Sequence, residues 1–90
     1  MMKNYTRWTT VFKALANPNR LKIIELVSKR AMNVGDIADA LKISITATSN
    51  HLVMLQKLEV LVSEAKDGHV YYSVNKTMPQ DFADAIKLPT

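Results

Sequence analysis

Cysteine is absent from this 90-residue chain. That excludes a disulfide scaffold, a thiolate metal site, a cysteine nucleophile and a thiol redox sensor. It also favours a cytoplasmic setting. Glycine and proline are scarce, two and three residues. No stretch reads as a linker, a repeat or low complexity. No segment approaches the roughly 20 apolar residues of a membrane-spanning helix. The opening residues, MMKNYTRWTT, hold no apolar run of the signal-peptide kind. Only two histidines occur, far apart, and no glycine-rich phosphate loop. An enzyme therefore lacks its usual nucleophile–base and phosphate-binding parts, and so short a chain leaves little room for a substrate cleft beside its core.

What is present suits one small domain over residues 1–90. Apolar residues make up 48% and charged residues 22% of the chain, an ordinary globular balance. A domain of this size buries only about 60% of the surface its unfolded chain exposes, so a partner subunit would add needed core. The formal charge is +4, and it is uneven. Residues 1–42 carry eight Lys and Arg against three Asp and Glu, whereas residues 43–90 are nearly neutral. Such a balance is compatible with a polyanionic partner.

Apolar spacing predicts a first helix from about Asn4 to Ala16, with Tyr5, Trp8, Val11, Phe12 and Leu15 in one stripe. Asn17-Pro18 then reads as an N-cap followed by proline at the first helical position. The helix from Pro18 to about Lys29 is apolar on most sides. A third helix runs from Val34 to Leu41 behind Asn33 as cap. Lys42-Ile43-Ser44 makes a tight break, and Ser44 caps a fourth helix reaching about Leu58. The period then changes. Val60 to Ala65 and Val70 to Val74 are β-branched and aromatic, with Lys66-Asp67-Gly68-His69 between them, and Asp-Gly is a strong hairpin signal. Thr77-Met78-Pro79-Gln80 reads as a capping box before a short last helix carrying Phe82, Ala83 and Ile86. Two helices about three residues apart, followed at once by a hairpin, are the layout of a winged helix-turn-helix. The fold class expected is mainly α with a small β-hairpin wing, in the order α-α-α-α-β-β-α.

These residues resemble the ArsR/SmtB-type repressors. Leu15 to Ile24, LANPNRLKII, is similar to that family's LADPTRLRIL signature. Val34-Gly35-Asp36-Ile37-Ala38 is similar to its VCELA segment, and Ile43 to Leu52, ISITATSNHL, to LSQSTVSHHL. Gly68 to Val74, GHVYYSV, is similar to GRxVYYSL. The resemblance covers about residues 11–75. It implies a homodimeric, DNA-binding transcriptional repressor of a prokaryotic cell, cytoplasmic and nucleoid-associated, with double-stranded DNA carrying an inverted repeat as its partner. The pattern departs where the family senses metal. The thiolate sensors' C-V-C segment corresponds to Asn33, Val34 and Gly35, which offer no soft ligand. Other members hold zinc on a long final helix. Residues 75–90 contain no histidine, and Asp81 with Asp84 alone makes a poor zinc site. No metal and no cofactor are expected.

On a helical wheel, Thr48, His51, Leu52, Leu55 and Leu58 converge on an inward side of the fourth helix. Thr46, Asn50, Val53 and Lys57 converge on the other, with Ser49 at its flank. The start of the second helix of a helix-turn-helix meets base edges. Thr46, Ser49 and Asn50 are therefore the leading candidates, with Ser44, Ile45 and Ala47 beside them. The Asn50 amide matches adenine N6 and N7, and the methyls of Thr46 and Ala47 suit thymine. No charged residue lies between Ser44 and Gln56. Phosphate contact then falls to Lys42, Lys57 and Lys66, with Arg20, Lys22 or Lys29 as further candidates and His69 also on the wing. Arg20 has two readings, a phosphate contact or a pair with a carboxylate at the core edge, the second slightly preferred. His51 is read as partly buried and hydrogen-bonded. Tyr5, Trp8 and Phe12 with Phe82 and Ile86 are the expected dimer interface. The alternative is a winged helix used for protein–protein contact, for which the uncharged fourth helix is the hint.

Overall fold

The computed structural model describes residues 5–76. Helix α1 spans Tyr5–Leu15. Val11, Ala14 and Leu15 enter the core, at the i, i+3, i+4 spacing of one buried face. Phe12 stands 49% exposed, beside exposed Thr9 and Lys13. The apolar stripe is thus divided, with Val11 and Leu15 turned inward and Phe12 outward. The side chains of Tyr5 and Trp8 lie outside the described set, as do residues 77–90 with the expected capping box, last helix, Phe82 and Ile86.

Helix α2 spans Pro18–Lys29 and starts as its sequence dictates. Asn17 is extended, and its side-chain oxygen accepts from the N–H groups of Asn19 and Arg20 at 2.9 and 3.1 Å. Pro18 has no N–H to satisfy at that position. Ile23, Ile24 and Val27 are buried. A two-residue strand, β1 (Met32–Asn33), follows. Apolar spacing does not predict it, because two residues are too few to display an alternation.

Helix α3 spans Val34–Leu41, and Asn33 caps it by accepting from the Asp36 N–H at 2.8 Å. It ends in a Schellman arrangement. Ile43 N–H donates to the Ala38 carbonyl and Lys42 N–H to that of Asp39. Lys42 sits in the left-handed region, φ 59° and ψ 41°. Ser44 then caps α4 (Ile45–Lys57), its Oγ accepting from Ala47 N–H at 3.0 Å.

After α4 the chain reverses through Glu59, φ 63°, and Val60 N–H donates to the Leu55 carbonyl. The wing is β2 (Leu61–Lys66) and β3 (His69–Val74). Asp67 and Gly68, at φ 53° and 82°, make the two-residue turn, where positive φ at both positions gives the twist of a primed turn. Lys66 and His69, expected in the loop, are instead the last cross-strand pair. The sheet order is β1-β3-β2, all antiparallel, with Met32 opposite Tyr72 and Asn33 opposite Tyr71. The core joins Val11, Leu15, Ile23, Ile24, Val27, Met32 and Ile37 to Leu52, Leu55, Leu58, Val60 and Leu61. Each helix and each strand except β3 thus contributes to one interior, and β3 packs Tyr72 and Val74 against it.

Candidate nucleic-acid interface

Helix α4 is fixed from within. Thr48, Leu52 and Leu55 are buried, and the Thr48 hydroxyl donates to the Ser44 carbonyl at 2.8 Å. That bond removes the cost of burying its oxygen. With those residues turned inward, Thr46, Asn50, Val53 and Lys57 are all exposed, and Ser49 and His51 are half-buried. The wheel expectation for both faces is therefore met. Ile45 is 57% exposed at the helix start, and Val53 is 51% exposed two turns later.

The candidate residues fall into three groups. Ile45, Thr46, Ala47, Ser49 and Asn50 share the first turns of α4, with Ser44 at its cap. Ser44 Oγ accepts the Ala47 N–H, which leaves its own proton free to donate. Lys57 lies at the far end of the same stripe, about 17 Å along the axis from Thr46 at 1.5 Å per residue. Lys42 precedes α4, exposed at the turn of the helix-turn-helix. Its left-handed backbone costs a non-glycine residue about 1–2 kcal/mol.

Lys66 and His69 form the third group. Strand alternation puts Val62, Glu64 and Lys66 on the outer face of the wing with Ser73, Tyr71 and His69 opposite them. His69 is exposed and packs edge-on to Tyr71, ring centroids 6.2 Å apart. Lys66 shares a shallow cavity of about 450 Å³ with Ala31, Glu64, Asp67 and Tyr71. Two carboxylates beside it temper the positive potential of the wing. The inner face ties the wing to α4, where Gln56 Nε2 donates to Ser63 Oγ at 2.9 Å.

Arg20 and His51 correct one expectation. Arg20 Nε donates to His51 Nδ1 at 3.2 Å, and Arg20 Nη1 donates to the Ala14 carbonyl at 3.3 Å. Its partners are an imidazole and a carbonyl, not a carboxylate. Burial, and then the Arg20 charge, hold the His51 pKa below 6.5. The contact joins residues 31 apart in sequence, so no local spacing could reveal it. The Gln56–Ser63 bond escapes sequence reading likewise, since neither residue belongs to an apolar pattern. Among the described residues, no three His, Cys, Asp or Glu side chains gather where they could hold a metal. No helix among them is long and apolar enough to cross a membrane.

Four helices and an antiparallel wing, with α3 and α4 meeting at a three-residue turn, define a winged helix-turn-helix protein. A family model described as "Bacterial regulatory protein, arsR family" matches residues 17–63, so the matched stretch runs from the Asn17 cap into the first wing strand. The chain is 42% identical over 71 residues to the transcriptional repressor SdpR of Bacillus subtilis, covering 79% of each. The chain therefore belongs to the arsR family of bacterial regulatory proteins, and it is a DNA-binding transcriptional regulator. The structure of HlyU from Vibrio cholerae matches with a TM-score of 0.83 at 27% identity, covering 99% of this chain and 94% of that one. The homodimeric winged helix-turn-helix DNA-binding domain of Mb0332 from Mycobacterium bovis matches at 0.79 and 27% identity, covering 93% and 75%.

Proposed function

We propose that the chain is a homodimeric repressor that binds an inverted-repeat operator in double-stranded DNA through α4 and the wing. One observation carries the reading. The first turns of α4 present Ile45, Thr46 and Asn50 outward on a helix locked by Thr48, Leu52 and Leu55, with cations at its two ends. Ile45, Thr46, Ala47, Ser49 and Asn50 enter the major groove, Ser44, Lys42 and Lys57 meet phosphates, and Lys66 with His69 follows the flanking backbone. Repression is favoured by the name of SdpR, and dimerisation by the homodimeric Mb0332 domain and by exposed Phe12 on α1. Phe12 joins Tyr5 and Trp8, with Phe82 and Ile86 of the segment beyond the described residues, in the proposed interface. A thiolate metal sensor is not proposed, since the chain has no cysteine, and the protein acts in the cytoplasm at the nucleoid.

Selection of bound sequences from a random duplex pool, repeated at several salt concentrations, tests the proposal. An inverted repeat with steeply salt-dependent affinity is the expected result. Recovery of no preferred sequence would favour the protein-binding alternative.

A further inference from the structure

We infer that the half-site read by α4 consists of A·T pairs, recognised by Asn50 at adenine and by Ile45 and Val53 at thymine methyl groups. This rests on the DNA reading proposed above and specifies the sequence class that α4 accepts. In the major groove, guanine offers O6 and N7 to a bidentate Arg or Lys, and cytosine offers an N4 donor to Asp or Glu. Helix α4 has none of these side chains between Ser44 and Gln56. A G·C pair placed against its outer face would leave those base groups without a charged partner. An A·T pair presents what the helix can meet. Asn50 is exposed, and its amide pairs with adenine N6 and N7.

The apolar residues point the same way. Ile45 and Val53 rank among the most exposed large hydrophobic side chains of the described residues, at 57% and 51%. They flank Asn50, five residues before and three after it. Both belong to a helix whose inward positions are already filled by Leu52 and Leu55. The thymine C5-methyl is the apolar group that base edges present in the major groove. Covering it would return to Ile45 and Val53 part of the hydrophobic free energy that their exposure forgoes. The Thr46 and Ala47 methyls extend the same surface. The lysines stand outside this patch, at 42 and 57 along the helix-turn-helix and at 66 on the wing, placed for phosphates rather than bases.

The experiment starts from the best duplex recovered from a random pool. Each thymine of a half-site is replaced singly by deoxyuridine, which removes the C5-methyl alone. Each adenine is replaced by 7-deazaadenine, which removes N7. Removing one buried methyl is expected to weaken binding about fourfold, and about tenfold or more when both half-sites are changed. Ile45→Ala and Val53→Ala should each abolish the uracil penalty at one position and leave it at the other. Asn50→Ala should abolish the 7-deazaadenine penalty. Both apolar residues are exposed, so thermal melting of the variants should match that of the parent. Enrichment of G·C pairs at the central read positions would overturn the inference while leaving the DNA reading intact. So would equal affinity for thymine and uracil duplexes. Failure to enrich any duplex would overturn both together.

Discussion

Arg20 Nε donates to Nδ1 of His51 across 3.2 Å, while the same guanidinium donates to the carbonyl of Ala14. Three helices meet at that one side chain: Ala14 on α1, Arg20 on α2 and His51 on α4. The bond requires His51 to be neutral at Nδ1, because a protonated imidazole has no lone pair to accept with. The helix that carries the proposed reading residues is thus oriented partly through a histidine lying one position after Asn50.

That arrangement sets a pH dependence of stability. Burial and Arg20 hold the folded His51 pKa below 6.5. The unfolded chain takes up its proton near 6.5, so below that pH the unfolded state binds more protons than the folded state. Stability then rises with pH through this window. The contribution is complete above about pH 6.5 and falls as the medium is acidified toward the folded pKa. Urea-unfolding midpoints measured from pH 7.5 downward should show the decline. In His51→Gln the slope over that window should be shallower, and an unchanged slope would remove His51 as its source.

Arg20→Ala should cost about 1–3 kcal/mol, since it breaks two hydrogen bonds from a charged donor in a half-buried site. Arg20→Lys should recover little of this. An ammonium is a point charge, whereas the guanidinium reaches the imidazole and the carbonyl at once through separate nitrogens. Denaturant unfolding of the two variants checks this. Full recovery by lysine would mean that charge alone matters at that position.

The Arg20 hydrogen bonds also mark where sequence reading ends. Each described helix is legible to within a residue or so, α1 from its apolar period and α2, α3 and α4 also because their starts are written locally. Asn17-Pro18, Asn33 and Ser44 cap their helices through atoms of their own side chains. Asp67-Gly68 specifies the turn because both residues tolerate positive φ. The two faces of α4 follow from a 3.6-residue period. What cannot be read is non-local. Strand β1 exists only because Met32 and Asn33 meet Tyr72 and Tyr71 some 40 residues later. Arg20 takes a histidine rather than a carboxylate for the same reason. Phe12 satisfies the helical period equally well for either face, and only the packing of Val11 and Leu15 decides that it points outward.

Lys42→Gly should separate strain from function. Lysine at φ 59° holds a conformation that glycine adopts freely. Relief of the strain, less the larger entropy of unfolded glycine, should stabilise the protein by about 0.5–1 kcal/mol. If Lys42 meets a phosphate, the same variant should bind duplex DNA more weakly and with a shallower salt slope. A more stable protein with undiminished DNA affinity would assign the lysine no role in binding.

Trp8→Ala should weaken self-association and DNA binding together. A C2 dimer of the proposed kind would place two copies of α4 on successive half-sites, whereas a monomer would engage only one of them. Phe12→Ala should act in the same direction, with little effect on the core, because Phe12 is about half exposed. Sedimentation velocity read beside binding to the selected operator provides the check. A dimer that persists in both variants would move the interface away from α1.

Asn50 and Lys66 should fail in different ways, and the contrast tests the division of labour between helix and wing. Asn50 stands on the outer face of α4 with an amide suited to adenine. Asn50→Ala should cost about 1–3 kcal/mol on the preferred site and relax the choice of base at one position of each half-site. Its salt dependence should be unchanged, since an amide displaces no counterion. Lys66 is the last residue of β2, opposite His69 and beside Glu64 and Asp67. Lys66→Ala should weaken all duplexes alike and reduce the slope of log affinity against log salt by roughly 1 for each phosphate no longer neutralised, so by up to about 2 in a symmetric dimer. The two neighbouring carboxylates make that lysine less cationic in effect than an isolated one. Glu64→Gln should therefore strengthen binding to every duplex, most visibly at low salt. If Lys66→Ala instead changed the selected sequence, the wing would be reading bases, and the assignment of specificity to α4 alone would fall.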